Sequence, residues 1–314
     1  MSIAFIYPGQ GSQAVGMGAA LAEAFAEARA VFEEVDDALN QKLFALMRDG
    51  PVETLTLTEN AQPALMAVSL AVMGVLRGQF GIDVSRAAFV AGHSLGEYSA
   101  LAAAEAFTLA DTARLLKLRG QAMQRAAPVG EGAMASLIGP KSDLALAEEA
   151  AQTGAALGVC VVANDNNAGN IVISGAKAAV DLAIVKAKEL GARAIPLNVS
   201  APFHCPLMQP AADEMARALA ETSIRPPRAP LVSNVTARPT LDPEVIRRLL
   251  VEQVTSRVRW RESIEWLVGE GGVTQFAEAG AGKVLAGIVK RIAPDAGAVS
   301  LGAPADLEAF AASL

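Results

Sequence analysis

The chain has 314 residues, of which 52% are hydrophobic, 19% charged and 4% aromatic, and its formal net charge is -7. It can bury a large core, as one domain with an insertion or as two, whereas net acidity with few aromatics argues against nucleic-acid binding. Two cysteines cannot by themselves form a multi-bridge disulfide framework or a four-ligand zinc site, and with only two histidines beside them no metal is expected.

Residues 1–8 lack a basic n-region and a long apolar h-region, so no secretory signal is expected and the cytoplasm is the expected location. Residues 3–7 read as a first strand, and the loop Pro8-Gly9-Gln10-Gly11-Ser12-Gln13 leads into helical segments through residue 40. Thr58 or Asn60 is expected to cap a helix running to Phe80. Its uncharged part, residues 61–76, contains Gln62, Pro63 and Ser69 and falls short of the roughly 20 apolar residues of a membrane span, so a buried helix and no membrane partner are expected. A strand is expected at 87–91, and helix from Leu95 to about residue 126 with Gly120 as a weak interruption.

Between that strand and helix lies Gly92-His93-Ser94-Leu95-Gly96-Glu97. A serine flanked by glycines two before and two after fits a nucleophile elbow, a sharp strand-to-helix turn that holds its hydroxyl clear of the sheet. The N–H of Leu95, in the first helical turn, has no intrahelical partner and points into the same space as half of an oxyanion hole. The pattern alone is weak in a chain with 27 glycines. Of the two histidines, His93 is too close in sequence to serve Ser94, which leaves His204, in a loop between Pro202 and Pro206. An imidazole with a pKa near 6.5 can take and return a serine proton at neutral pH. A turn serine and a hydrogen-bonded loop histidine would read the same way, and spacing leaves both open.

From residue 128 to 198 the order of elements changes. Strands are expected at 133–138, 159–163, 171–174 and 193–197, helices at 142–152 and 177–190, and a turn at 164–169. This is the β-α-β-β-α-β order of a ferredoxin-like unit. The expected fold is therefore α/β, a hydrolase-like parallel-sheet core (1–127 and 199–314) with an inserted ferredoxin-like subdomain (128–198). Ser94 and His204 flank the insert, and the cleft between the two parts is the natural site. Further core strands are expected at 231–234 and 274–277, with helices between and after them.

Five motifs together give the chain a specific likeness: Tyr7-Pro8-Gly9-Gln10-Gly11-Ser12-Gln13, the Ser94 elbow, Leu118-Arg119-Gly120-Gln121-Ala122-Met123-Gln124, Phe203-His204-Cys205, and Glu278-Ala279-Gly280-Ala281-Gly282-Lys283-Val284-Leu285. From Phe5 nearly to its end the chain resembles the malonyl-CoA:acyl carrier protein transacylases. The resemblance implies a hydrolase-like core with a ferredoxin-like insert and ping-pong transfer of a malonyl group from malonyl-CoA, through a malonyl-Ser94 ester, to the phosphopantetheine thiol of an acyl carrier protein. It implies that Gln10 supplies the second oxyanion N–H beside Leu95. Arg119 would bind the free malonyl carboxylate, for which a guanidinium fork is suited. Gln253 would orient His204 through its main-chain carbonyl in place of a triad carboxylate. Phe203 resembles a bulky residue that crowds out an α-methyl group, and reads equally as loop packing. Asn166 resembles an acyl- or pantetheine-binding asparagine, although Asn167-Ala168-Gly169-Asn170 departs from the family's usual proline-glycine sequence. No resident cofactor is implied, since coenzyme A arrives as the substrate thioester, and a monomer is expected. Arg114, Lys117, Arg125, Lys283, Lys290 and Arg291 are candidates for a basic carrier-docking patch, each also readable as a solvated helix face.

Rival readings remain at this level. A serine esterase shares the elbow and the histidine but has no need of Arg119. Gly9-x-Gly11-x-x-Ala14 follows a strand as a dinucleotide loop does, yet residues 28–40 look helical where a second strand belongs. Gly280-Ala281-Gly282-Lys283-Val284 resembles a phosphate loop only superficially, lacking the final Ser/Thr. A non-catalytic scaffold is the third alternative.

Overall fold

The computed structural model describes residues 2–128, 130–199 and 201–314. In chain order its strands are β1 (Ile3–Tyr7), β2 (Phe89–Gly92), β3 (Gly132–Ile138), β4 (Cys160–Asn167), β5 (Asn170–Ala176), β6 (Arg193–Pro196), β7 (Leu231–Val232), β8 (Pro239–Thr240), β9 (Gln275–Ala279) and β10 (Gly297–Leu301). Six of them form one sheet in the order β10-β9-β1-β2-β7-β8. Every pair is parallel except the β7–β8 edge, which is antiparallel and makes the sheet mixed.

The sequence of β1 explains its central place. All five residues are buried, as a strand covered on both faces by helices requires. Because alternate side chains take opposite faces, Ile3, Phe5 and Tyr7 enter one core and Ala4 and Ile6 the other. The first core is filled by the Thr58–Phe80 helix, most of whose side chains are buried. By length and composition this helix could cross a membrane; here it is mostly buried inside the protein.

The other four strands form an antiparallel sheet in the order β4-β5-β3-β6. The helices Leu144–Gly154 and Lys177–Glu189 pack on it through alanines, including Ala147, Ala150, Ala179 and Ala183. This is the expected β-α-β-β-α-β unit with its middle strands crossed in ferredoxin-like order.

Several local expectations give way to tertiary contacts. The expected cap at Thr58 or Asn60 is not used: Leu57 occupies the N-cap and Asn60 lies inside the helix, where its carbonyl accepts from Gln41 and Lys117, both at 3.0 Å. The helical stretch after Leu95 is two helices, Gly96–Ala103 and Leu109–Arg125. The break comes at Glu105, in the left-handed region (φ 61), and Thr108 caps the second helix by accepting from the Asp111 N–H at 3.0 Å. Gly120 does not interrupt that helix; a Cβ there would collide with the Glu59 backbone, so this glycine lets two helices touch. The asparagine-rich segment expected as a turn continues β4 through Asn167, leaving only Ala168 and Gly169 to turn. Pairing with the core outweighs its polar composition: the Asp165 N–H donates to the Val258 carbonyl at 2.9 Å, and the Val258 N–H to that of Ala163 at 2.8 Å. Strand β2 starts at Phe89 rather than residue 87, and β10 occupies a region expected to be helical.

Candidate active site

The elbow is a steric device. Gly92 ends β2 and Gly96 begins the next helix. A Cβ on Gly92 would overlap the Gly96 backbone, and one on Gly96 would strike the Tyr7 carbonyl, so only glycines allow the chain to turn back this tightly. Ser94 between them has φ 54, a left-handed conformation that costs a non-glycine residue about 1–2 kcal/mol. The cost is offset locally. Asn234, fully buried after β7, accepts from the Ser94 N–H at 2.8 Å and donates to the Gly92 carbonyl at 2.7 Å, gripping the turn on both sides.

His204 is also left-handed, with φ 57. Its Nε2 lies 2.8 Å from the Ser94 hydroxyl and its Nδ1 2.9 Å from the Gln253 carbonyl. A carbonyl only accepts, so Nδ1 carries the proton and Nε2 is left to accept from the serine. Gln253 is the last residue of the helix Pro243–Gln253, where carbonyls lack intrahelical partners and the helix dipole is negative. A proton shared with His204 is favoured there, though less than by a carboxylate. Burial first, then the nearby Arg119 charge, push the His204 pKa down to about 3, so the resting imidazole is neutral.

Arg119 reaches the serine from the Leu109–Arg125 helix. Its Nη2 donates to the Ser94 hydroxyl at 3.2 Å and the Gln253 side-chain carbonyl at 2.8 Å, and its Nη1 to Gln62 at 2.9 Å. The side chain is 1% exposed, and burial lowers its pKa without discharging it. Among the described residues no carboxylate lies within ion-pair distance of it. It is a buried cation whose hydrogen bonds go to neutral oxygens, with its guanidinium over the Tyr98 ring, 5.7 Å from the ring centre.

Gln10, Leu95, Asn166 and Phe203 line the same cavity as Ser94, Arg119 and His204, with a volume of about 340 Å³. Among the described residues neither the Gln10 nor the Leu95 N–H has a partner within the protein, and both stand at the cavity wall. Asn166, on β4, accepts from His93 Nε2 at 2.9 Å, which ties the second sheet to the elbow. Phe203 is buried beside Met134, Val172 and Val199. All eight candidate residues thus meet at one place.

Asn234, Gln62 and the role of Glu97 had no signal in sequence spacing. The available hint is positional: Asn234 is a polar residue just after the apolar pair of β7, and sites gather at the carboxyl ends of parallel strands.

The geometry also disposes of the phosphate-loop reading. The buried Glu278 carboxylate accepts from the N–H groups of Leu285 at 3.1 Å and Ala286 at 2.8 Å, so it fills the anion position at the start of the Val284–Ile292 helix. The Gly9 loop packs against the elbow, where a Cβ would meet the His93 carbonyl, and residues Ala26–Leu39 are a helix rather than a dinucleotide-binding strand.

The sequence matches the acyl transferase domain over residues 4–300. The chain belongs to the acyl transferase family. Among its relatives, the Bacillus subtilis (strain 168) malonyl CoA-acyl carrier protein transacylase is 46% identical, over 92% of this chain and 90% of that protein. The crystal structure of an acyl-carrier-protein S-malonyltransferase from Bartonella henselae superposes with a TM-score of 0.96 at 54% identity, covering 100% of this chain and 99% of that one. A malonyl-transacylase in complex with a type II PKS acyl-carrier protein gives a TM-score of 0.96 at 40% identity and full coverage of both chains. This acyl transferase therefore has an α/β fold shared along its whole length with enzymes of that activity.

Proposed function

We propose that the protein moves a malonyl group from malonyl-CoA to the phosphopantetheine thiol of an acyl carrier protein by a ping-pong route through Ser94. The carrying observation is Arg119: a fully buried guanidinium with no carboxylate partner among the described residues, 3.2 Å from the nucleophile. Leaving such a charge uncompensated is expensive, and an acyl group with its own carboxylate removes the expense on binding.

In the first half-reaction the Ser94 oxygen attacks the thioester carbon while His204 Nε2 takes its proton. The carbonyl oxygen becomes an oxyanion facing the Gln10 and Leu95 N–H groups. The C–S bond then breaks, and the coenzyme A sulfur leaves with the proton from His204. In the second half-reaction the carrier thiol gives its proton to His204 and attacks the ester, and Ser94 departs and recovers the proton. Gln253 keeps the imidazole in the required tautomer throughout. Phe203 narrows the cavity against an α-methyl group, and Asn166, through His93, helps to hold the acyl or pantetheine chain in the cleft.

The reading calls on no resident cofactor and places a monomer in the cytoplasm. For carrier docking it favours Lys283, Lys290 and Arg291, all exposed and without an ion-pair partner among the described residues. Arg114, Lys117 and Arg125 are already engaged by Asp111, Glu59 and Glu214.

The test is intact-mass analysis after incubation with malonyl-, methylmalonyl- or acetyl-CoA, followed by carrier, for the parent and Arg119→Ala. Malonyl loading should be lost selectively in the variant. Equal malonyl loading of both proteins would remove the basis of the proposal.

A further inference from the structure

The Glu97 carboxyl takes no part in the steps above, yet it lies at the centre of the site's scaffolding. It is fully buried in the first turn after the elbow and does not line the cavity. It accepts hydrogen bonds from the Gln253 side-chain amide and, at 3.4 Å, from the Asn234 N–H.

The Gln253 amide faces two ways. Its oxygen accepts from Arg119 Nη2 at 2.8 Å, and its nitrogen donates to the Ser94 carbonyl at 2.9 Å as well as to Glu97. A guanidinium can only donate and a carboxylate can only accept, so Arg119 on one side and Glu97 on the other admit a single orientation of this amide. The result is a row of cation, amide dipole and carboxylate. A carboxylate one amide away lowers the cost of burying Arg119 without filling the guanidinium's own bonding positions. Direct contact would form an ion pair that an incoming carboxylate would have to break.

We propose that Glu97 is a positioning residue for acyl-group choice: acting through the Gln253 side chain, it holds Arg119 aimed into the cavity and leaves that charge open to the carboxylate of the acyl group. This rests on the proposed role of Arg119. It differs from a purely structural role, in which Glu97 only braces the elbow through the Asn234 N–H, because bracing would affect all acyl groups alike.

The experiment measures Ser94 loading rates by intact mass with malonyl-CoA and with acetyl-CoA at about pH 8, where a carboxylate is ionised. The proteins are the parent, Glu97→Gln and Arg119→Ala, each with a denaturation curve. Glu97→Gln keeps the shape but removes the charge and frees the Gln253 amide to turn. Its malonyl loading should fall about tenfold while acetyl loading changes less than about twofold, as expected for loss of one charge-assisted contact. Equal losses for both acyl groups, or no loss, would overturn the proposal. If Arg119→Ala abolishes the preference for malonyl and Glu97→Gln keeps it, only the relay fails. If Arg119→Ala keeps it, the underlying reading fails instead. Should Glu97→Gln not fold, Gln253→Met preserves the carbonyl beneath His204 and removes the amide; it should lose the same preference, and an unchanged preference would be equally fatal.

Discussion

Replacing Asn234 by alanine isolates what holds Ser94 in its strained turn. The side chain supplies an acceptor for the Ser94 N–H at 2.8 Å and a donor for the Gly92 carbonyl at 2.7 Å, in a place with no solvent exposure. Truncation strands both backbone groups, and each buried unpaired group costs about 1–3 kcal/mol. A water entering the vacated space can recover part of this, which leaves a loss of about 3 kcal/mol. For a chain of this size that is a fall in melting temperature of about 5 °C. A second effect follows from Ser94 itself, whose φ of 54 is no longer enforced once its N–H is released. A turn that relaxes toward ordinary backbone geometry moves the hydroxyl away from His204, and a displacement of about 1 Å can cost about 100-fold in rate. Denaturant unfolding gives the first quantity, and rapid-quench intact-mass analysis of Ser94 acylation, well below the melting transition, gives the second. A stability loss with an unchanged acylation rate would show that the elbow holds its shape without Asn234 and would refute the argument for its grip.

Other consequences are independent of that one. Gly120→Ala should destabilise by about 1–3 kcal/mol through overpacking and slow malonyl loading, because the added methyl pushes the Arg119 helix off the Glu59 backbone; a calorimetric melt unchanged from the parent would contradict this. Asp165→Asn breaks the pair between a buried carboxylate and Arg261, whose Nη2 lies 2.8 Å away. Because Arg261 is partly exposed and keeps Glu265, the expected loss is about 2 kcal/mol in denaturant titration. Folded His204, held near 3, refuses a proton that the unfolded chain accepts below 6.5, so its contribution makes stability fall as the pH drops from 6.5 toward 3. Glu97 has the opposite sign: burial raises its carboxyl from 4.5 to about 7, so its contribution is full below 4.5 and is lost as the pH rises through 7. Unfolding curves of Glu97→Gln against the parent should therefore show the variant gaining relative stability across that interval, and a constant difference would count against it.

The site was legible where local sequence dictates local geometry. Two glycines around Ser94 are demanded by backbone contacts within one turn, and the scarcity of histidine left His204 as its only partner, so both could be named without coordinates. Resemblance supplied Arg119, Gln10 and Gln253, whose spacing says nothing, because each comes from a different element and acquires its role only where those elements meet. Asn234 and Glu97 escaped for a related reason. Their contacts, to Ser94, Gly92 and Gln253, span about a hundred or more residues of sequence or lie behind a motif that appears complete without them. The fold errs in the same direction. Asn164, Asp165, Asn166 and Asn167 have turn propensity, but a strand forms because Val258 offers its N–H and carbonyl to β4. Gly120 has breaker propensity, but the helix continues because the missing methyl is the space its neighbour occupies. In both cases a preference worth about 1 kcal/mol per residue yields to a long-range contact, and in both the displaced expectation lies beside a candidate site residue, Asn166 in the first and Arg119 in the second. A site assembled from elements distant in sequence needs backbone at its margins that obeys those contacts, so local propensity misleads most where several elements converge on the serine.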